Sequence, residues 1–246
     1  NERIRADGSV AQALELDNLR RAVQSMIDDH GLEALAICFL NSPTNPAHEE
    51  AALKLVTNEF PELYVSTSTD IFPFLREYER WTTTVMNAFT GPMFDTYLNR
   101  LESGLADMGF DASFYIMSSS GGTVTLDTAR KYPVRMLESG PAAGVLQSAM
   151  LGRQLNRLDL LSYDMGGTTA KICLIDDGRP QTSRTFEVDR QYRFTKGSGL
   201  PLRIPVIEMV EIGAGGGSIA QIDNLGRIQV GPGSAGSEPG PACYGQ

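Results

Sequence analysis

The stretch Asp164-Met165-Gly166-Gly167-Thr168-Thr169-Ala170-Lys171 joins an acid, two glycines and two hydroxyls between apolar segments. Leu158 to Tyr163 reads as a buried strand leading in, and Ala170 to Ile175 as a strand leading out toward the turn Asp176-Asp177-Gly178. Such a bend suits a phosphate. With no Cβ at Gly166 and Gly167, the backbone can bring its N–H groups up to an anion, and Thr168 and Thr169 add hydroxyl donors. A bare Asp164 would repel phosphate, which places it facing water or a bound Mg²⁺. A β-hairpin with a glycine turn has the same spacing, and the spacing alone leaves both readings open.

Three further small-residue loops flank this bend: Ser119-Ser120-Gly121-Gly122-Thr123, Glu138-Ser139-Gly140-Pro141-Ala142-Ala143-Gly144 and Gly213-Ala214-Gly215-Gly216-Gly217-Ser218. Each follows an apolar segment or opens a helix, where α/β folds assemble ligand clefts, so their convergence is the expectation. Taken singly, each is an ordinary structural turn, because Gly and Ser punctuate loops. None matches GxxxxGK[ST], and the glycine spacing is not that of a dinucleotide fingerprint. P-loop kinases and dinucleotide-binding dehydrogenases are therefore disfavoured.

A length of 246 residues allows one large domain or two modest ones with a working core. The formal net charge of −9 argues against a nucleic-acid surface, which needs clustered Lys and Arg. Cys38, Cys173 and Cys243 have no CxxC spacing and supply no zinc framework, and Cys173 reads as a core residue of the exit strand. No apolar run has transmembrane length and no signal segment opens the chain, so the expectation is a soluble, cytoplasmic protein. The start at Asn1 and the stop after a Gly/Pro loop read as a piece of something longer.

The pattern outside the bend alternates helix and strand. Leu16 to His30 has helical spacing with Gly31 as C-cap, Ala34 to Leu40 is a short apolar strand, His48 to Phe60 a second helix and Tyr64 to Ser68 a second strand. Glu79 to Leu105 is the longest helical candidate, broken or bent near Gly91-Pro92, with Trp81 and Phe89 fitting its core. Phe114 to Ser118 reads as a strand, and a helix runs from the Glu138 loop through Leu155 with Pro141 near its start. Phe186 to Phe194 and Leu202 to Val210 read as strands around Lys196-Gly197-Ser198-Gly199, and Ile219 to Val230 as a hairpin turning at Asp223 to Gly226. The class is α/β.

Other chemistry is thin. His48 sits at a helix start, where the structural reading is favoured over a base or ligand. A triad with Ser119, Ser139 or Ser234 lacks a GxSxG elbow. Arg76-Glu77-Tyr78-Glu79-Arg80 reads as a solvated face with local ion pairs of little worth. Lys171 can reach a phosphate from the hairpin or simply face solvent.

These residues resemble the hydantoinase A and 5-oxoprolinase family (N-methylhydantoinase A-like), whose nucleotide-binding parts are similar to the actin, sugar-kinase and Hsp70 superfamily. The resemblance runs through Ala36-Ile37-Cys38-Phe39-Leu40, Asn45-Pro46-Ala47-His48-Glu49, Arg76 to Arg80, Glu138 to Ala142, the Asp164 motif, Glu211 to Ser218, Gly231 to Gly236 and Pro239 to Gly245. Oxoprolinase-like members end the motif with Ser-Thr-Asp. This chain has Thr169-Ala170-Lys171, nearer the hydantoinase branch. The resemblance implies actin-like, ribonuclease H-like ATPase lobes of mixed sheets flanked by helices: residues 1–112 as the end of the first lobe with a connecting helix, and 113–246 as a second, C-terminally truncated lobe.

It also implies opening of a cyclic amide, such as a hydantoin or oxoproline, with ATP and Mg²⁺ through a phosphorylated intermediate. Asp164 would be catalytic and hold the metal through water. Gly166, Gly167, Thr168, Thr169 and Lys171 would cradle phosphates, and Gly215, Gly216, Gly217 and Ser218 would pass close to the nucleoside. The family's first Gly-Gly-Thr hairpin lies before this region, so the segment by itself is expected to be inactive. A second hydantoinase subunit or a homo-oligomer is the expected partner. A ketone carboxylase subunit using ATP and a catalytically silent actin-like scaffold are the alternatives.

Overall fold

A computed structural model describes residues 1–192, 195 and 197–245. The expected strand end at Arg193-Phe194 and the residue Lys196 lie outside them. The chain divides into two compact units, each assembled from several segments. One holds Asn1–Ile116, Thr123–Leu137 and Arg184–Pro205; the other holds Met117–Gly122, Glu138–Ser183 and Val206–Gln246.

The first unit opens with the expected alternation. Helix Leu16–His30 ends at Gly31, whose φ of 62° lets its N–H reach the Ile27 carbonyl. Strand Ala34–Ile37 runs parallel to strand Tyr64–Thr67, with Ala34 opposite Tyr64 and Ile37 opposite Thr67. Parallel strands need a crossover, and helix Ala47–Glu59 supplies it. Val23, Ile37, Ala52, Leu55 and Val56 form the core between them. The strand expected to reach Leu40 stops at Ile37, because the next residues turn toward buried polar partners.

Helix Glu77–Asp107 corrects the expected break at Gly91-Pro92, since its 31 residues run through Pro92. A single proline deletes one N–H, which the packing of so long a helix tolerates. Gly91 has a separate reason: a Cβ there would meet the Tyr64 ring at 2.3 Å. The expected core also changes. Phe89 is 72% exposed, while the buried face carries Arg80, Thr83, Thr84, Asn87, Ala88, Gly91 and Leu98. Trp81 is only half-buried. The helix turns a mostly polar stripe inward, so an apolar template selects the wrong side.

In the second unit, strands Leu160–Met165 and Ala170–Asp176 pair antiparallel with Asp164 opposite Lys171. Strand Val210–Ile212 joins the other edge with Glu211 opposite Lys171, and Arg179–Pro180 extends the meander. Helix Ser139–Gln154 is present as expected. Its Ala142, Val145 and Ala149 pack with Cys173, Ile175 and Ile207, which confirms Cys173 as core. The region read as one strand from Leu202 to Val210 is three short pieces, Leu200–Leu202, Val206–Ile207 and Val210–Ile212, and the strand from Phe186 stops at Val188. The late hairpin holds: Ser218–Ile222 pairs with Ile228–Ser234, turning where the Gly226 N–H meets the Asp223 carbonyl. Among the described residues, no helix is long and apolar enough to cross a membrane.

Candidate functional site

The Asp164 bend is a β-hairpin turn with donors to spare. Gly166 N–H closes the turn on the Thr169 carbonyl at 3.0 Å. Asp164 and Thr168 are exposed and Thr169 is half-exposed. Among the described residues, the hydroxyls of Thr168 and Thr169 and the N–H groups of Gly167 and Thr168 make no hydrogen bond. Gly167 is buried, but the Thr168 and Thr169 donors are accessible and left unused by the fold, which is what an anion needs.

The glycines around the bend serve the approach of backbone to backbone. A Cβ on Gly167 would lie 2.4 Å from the Gly236 carbonyl oxygen, one on Gly215 2.6 Å from that of Gly166, and one on Gly217 2.3 Å from that of Gly236. No backbone atom can yield by that much. Gly216 N–H and Gly217 N–H donate to the carbonyls of Gly166 and Gly167, both at 2.9 Å. The 213–218 loop is therefore stitched onto the bend, with Ser218 Oγ accepting from Gly215 N–H at 3.1 Å. Gly166 differs, since a Cβ there would meet nothing nearer than the Thr169 oxygen at 4.0 Å.

Two of the other small-residue loops belong to the same unit. The 138–144 loop reaches the bend through an ion pair between Lys171 Nζ and Glu138 Oε2, with Glu211 Oε1 at 3.6 Å from the same ammonium. The turn at Gly121 is held elsewhere in the unit: a Cβ on Gly121 would touch Leu146 at 3.0 Å, and Ile207 N–H donates to the Ser119 carbonyl at 2.8 Å.

The other candidates resolve locally. His48 is buried with Nδ1 2.8 Å from Glu2 Oε2, which engages it structurally. The charged run that opens the long helix is solvated only in part: Arg76 and Tyr78 are exposed, but its last residue is not. Arg80 is fully buried and donates to the carbonyls of Phe74 and Phe39 at 2.6 and 2.8 Å and to Ser68 Oγ at 3.1 Å. Ser68 Oγ in turn donates to Glu49, also fully buried, at 2.6 Å. Sequence reasoning passed over Glu49 for its neighbour His48. The signal available was an acid and a basic run in the two matching motifs. A cavity of about 440 Å³ lies in the first unit, lined by residues such as Phe110, Phe114, Asp127 and Arg130, and contains none of the site candidates.

The sequence pattern of the hydantoinase/oxoprolinase family matches residues 80–246, and that of its N-terminal region matches residues 1–60. The chain belongs to the hydantoinase/oxoprolinase family. It is 40% identical to an uncharacterized protein of Methanocaldococcus jannaschii, over 100% of this chain and 36% of that one. It is 34% identical to caprolactamase subunit alpha of Pseudomonas jessenii, over 99% of this chain and 34% of that one. The crystal structure of that ATP-dependent caprolactamase superposes with a TM-score of 0.76, at 32% identity, covering 99% of this chain and 34% of that one. Nucleotide-free acetone carboxylase also superposes at a TM-score of 0.76, with 27% identity, covering 96% of this chain and 32% of that one. The mixed α/β architecture is thus shared with both. The chain spans about a third of the length of these relatives.

Proposed function

We propose that this chain is part of an ATP-dependent enzyme that opens a cyclic amide, and that its two units belong to actin-like lobes. In that proposal residues 1–112 end the first lobe and 113–246 form the second, with Thr123–Leu137 and Arg184–Pro205 packing back into the first compact unit. The observation that carries the reading is the bend itself, with its unused donors at Gly167, Thr168 and Thr169 beside an exposed carboxylate.

The residues present fit a nucleotide phosphate with its metal. Thr168 and Thr169 supply hydroxyl and N–H donors, while Gly215, Gly216, Gly217 and Ser218 form the floor against which the bend is fixed. Among the described residues, no three His, Cys, Asp or Glu side chains cluster as a metal cage. That suits Mg²⁺, which takes one or two carboxylates and completes its shell with water and phosphate oxygens. Asp164 is the residue that would hold it or orient the attacking water. A ring amide is a poor electrophile, and bound ATP would supply a phosphoryl group that turns the amide oxygen into a leaving group. The chain's own part is to hold that group in line and keep Asp164 aimed at it.

A second reading, a ketone carboxylase subunit, is favoured by the equal superposition on acetone carboxylase. The relative named as subunit alpha supports a second chain as partner in either case. The full-length protein with its neighbouring subunit should release phosphate when given a hydantoin, oxoproline or lactam. Release dependent on bicarbonate and a ketone instead would select the carboxylase. Asp164→Asn should lower the rate by about a hundredfold. An unchanged rate would remove Asp164 from the role.

A further inference from the structure

Glu138 stands where a residue with a side chain is disfavoured. Its φ of 63° and ψ of 19° are left-handed, a conformation that suits glycine. Its carbonyl accepts from Ala142 N–H at 3.1 Å and so begins helix Ser139–Gln154, but its side chain caps nothing on that helix. The carboxylate crosses instead to Lys171, on the strand that leaves the bend. The two side chains are 24% and 16% exposed, so the pair is largely withdrawn from water.

Lys171 is also the centre of a cross-strand row, with Asp164 opposite it on one side and Glu211 on the other. The ammonium thus meets two acids, Glu138 and, at 3.6 Å, Glu211. The contact joins the outgoing strand of the bend to the N-cap residue of the helix, so it fixes the bend against the start of that helix.

We infer that Lys171 is a positioning residue: by holding Glu138 it pins the left-handed start of helix Ser139–Gln154 to the Asp164–Lys171 bend, and it is not itself a ligand of the phosphate. The inference rests on the nucleotide reading of the bend. It differs from that reading in giving Lys171 a task on the protein and leaving the donors of Thr168 and Thr169 to the anion.

The test uses the full-length protein with its partner subunit and the variants Glu138→Gln, Lys171→Gln, the double variant and Lys171→Arg. A non-hydrolysable ATP analogue with Mg²⁺ is the binding probe, and kcat, nucleotide affinity and thermal midpoint are measured for each. Positioning predicts that either single change lowers kcat by about tenfold, that the double change is no worse, and that nucleotide affinity moves by less than about threefold. Lys171→Arg, which keeps a cation opposite Glu138, should recover most of kcat. Weakened nucleotide binding in Lys171→Gln with none in Glu138→Gln would overturn the inference, as would additive losses in the double variant. If the unaltered protein binds no nucleotide, the reading of the bend fails. The ion pair is then judged by the thermal midpoints alone, with coupled shifts sustaining it as a structural pin and additive shifts refuting it.

Discussion

Glu49 carries more of the first unit than its place beside His48 suggests. Its two oxygens accept from Phe39 N–H at 2.9 Å, Ser68 Oγ at 2.6 Å, and the N–H and hydroxyl of Thr69, both at 2.9 Å. All of this happens at zero exposure, with the Arg80 guanidinium on the far side of Ser68. Burying such a pair gains little over apolar packing, but removing one partner strands the other charge and its donors. Glu49→Ala should therefore lower the unfolding free energy by about 3 kcal/mol or more in urea titrations, and Arg80→Ala by a similar amount. A loss below about 1 kcal/mol would mean that the network behaves as a surface pair. The same network explains why this part of the first unit escaped the sequence. An Arg in a run of alternating charge is usually solvated, and its burial depends on carbonyls at Phe39 and Phe74 that only the fold delivers.

At the scale of elements, the long helix is held by its polar stripe. Thr83 Oγ1 accepts from Arg203 N–H at 2.9 Å, Arg203 pairs with Glu79 at 2.6 Å, and Asn87 donates to Ser66 Oγ and the Lys131 carbonyl at 3.0 and 3.1 Å. Its first turns thereby engage Arg203 through Glu79 and Thr83, and Ser66 and Lys131 through Asn87. Gly91 ends the polar part of that stripe against Tyr64, whose hydroxyl donates to the Arg130 carbonyl at 2.6 Å. Alanine is the better helix former by about 1 kcal/mol, yet the added Cβ would sit inside the ring. Gly91→Ala should therefore destabilise the protein, by about 1–3 kcal/mol, with Tyr64→Ala in the same chain relieving part of the loss. A rise in thermal midpoint for Gly91→Ala would show that the ring moves aside freely. The proline next to it was legible as a helix breaker, but whether it breaks a helix depends on the packing around it, which local sequence does not contain.

For the molecule as a whole, alkaline pH is the expected weakness. Burial, reinforced by the nearby Glu49 carboxylate, pushes the Cys38 thiol up to about 12 from 9.0. Burial likewise pushes the Tyr64 phenol to about 12 from 10.0. Both groups hold their protons longer when folded than when unfolded, so the folded state binds more protons above about pH 9 and stability falls as pH rises toward 12. The thermal midpoint should drop across that window, and Cys38→Ala with Tyr64→Phe should flatten the slope. A midpoint indifferent to pH there would refute the burial argument.

The sequence determined the helix–strand alternation around Leu16 to Thr67, the hairpin at Asp164, the helix after Glu138 and membership of the hydantoinase/oxoprolinase family, because periodicity, turn residues and motif order are local properties of a chain. Tertiary structure alone decided that Gly167, Gly215 and Gly217 serve backbone contact, that Lys171 meets Glu138, and that Arg80 and Glu49 are buried, because each depends on groups brought together from distant positions by packing.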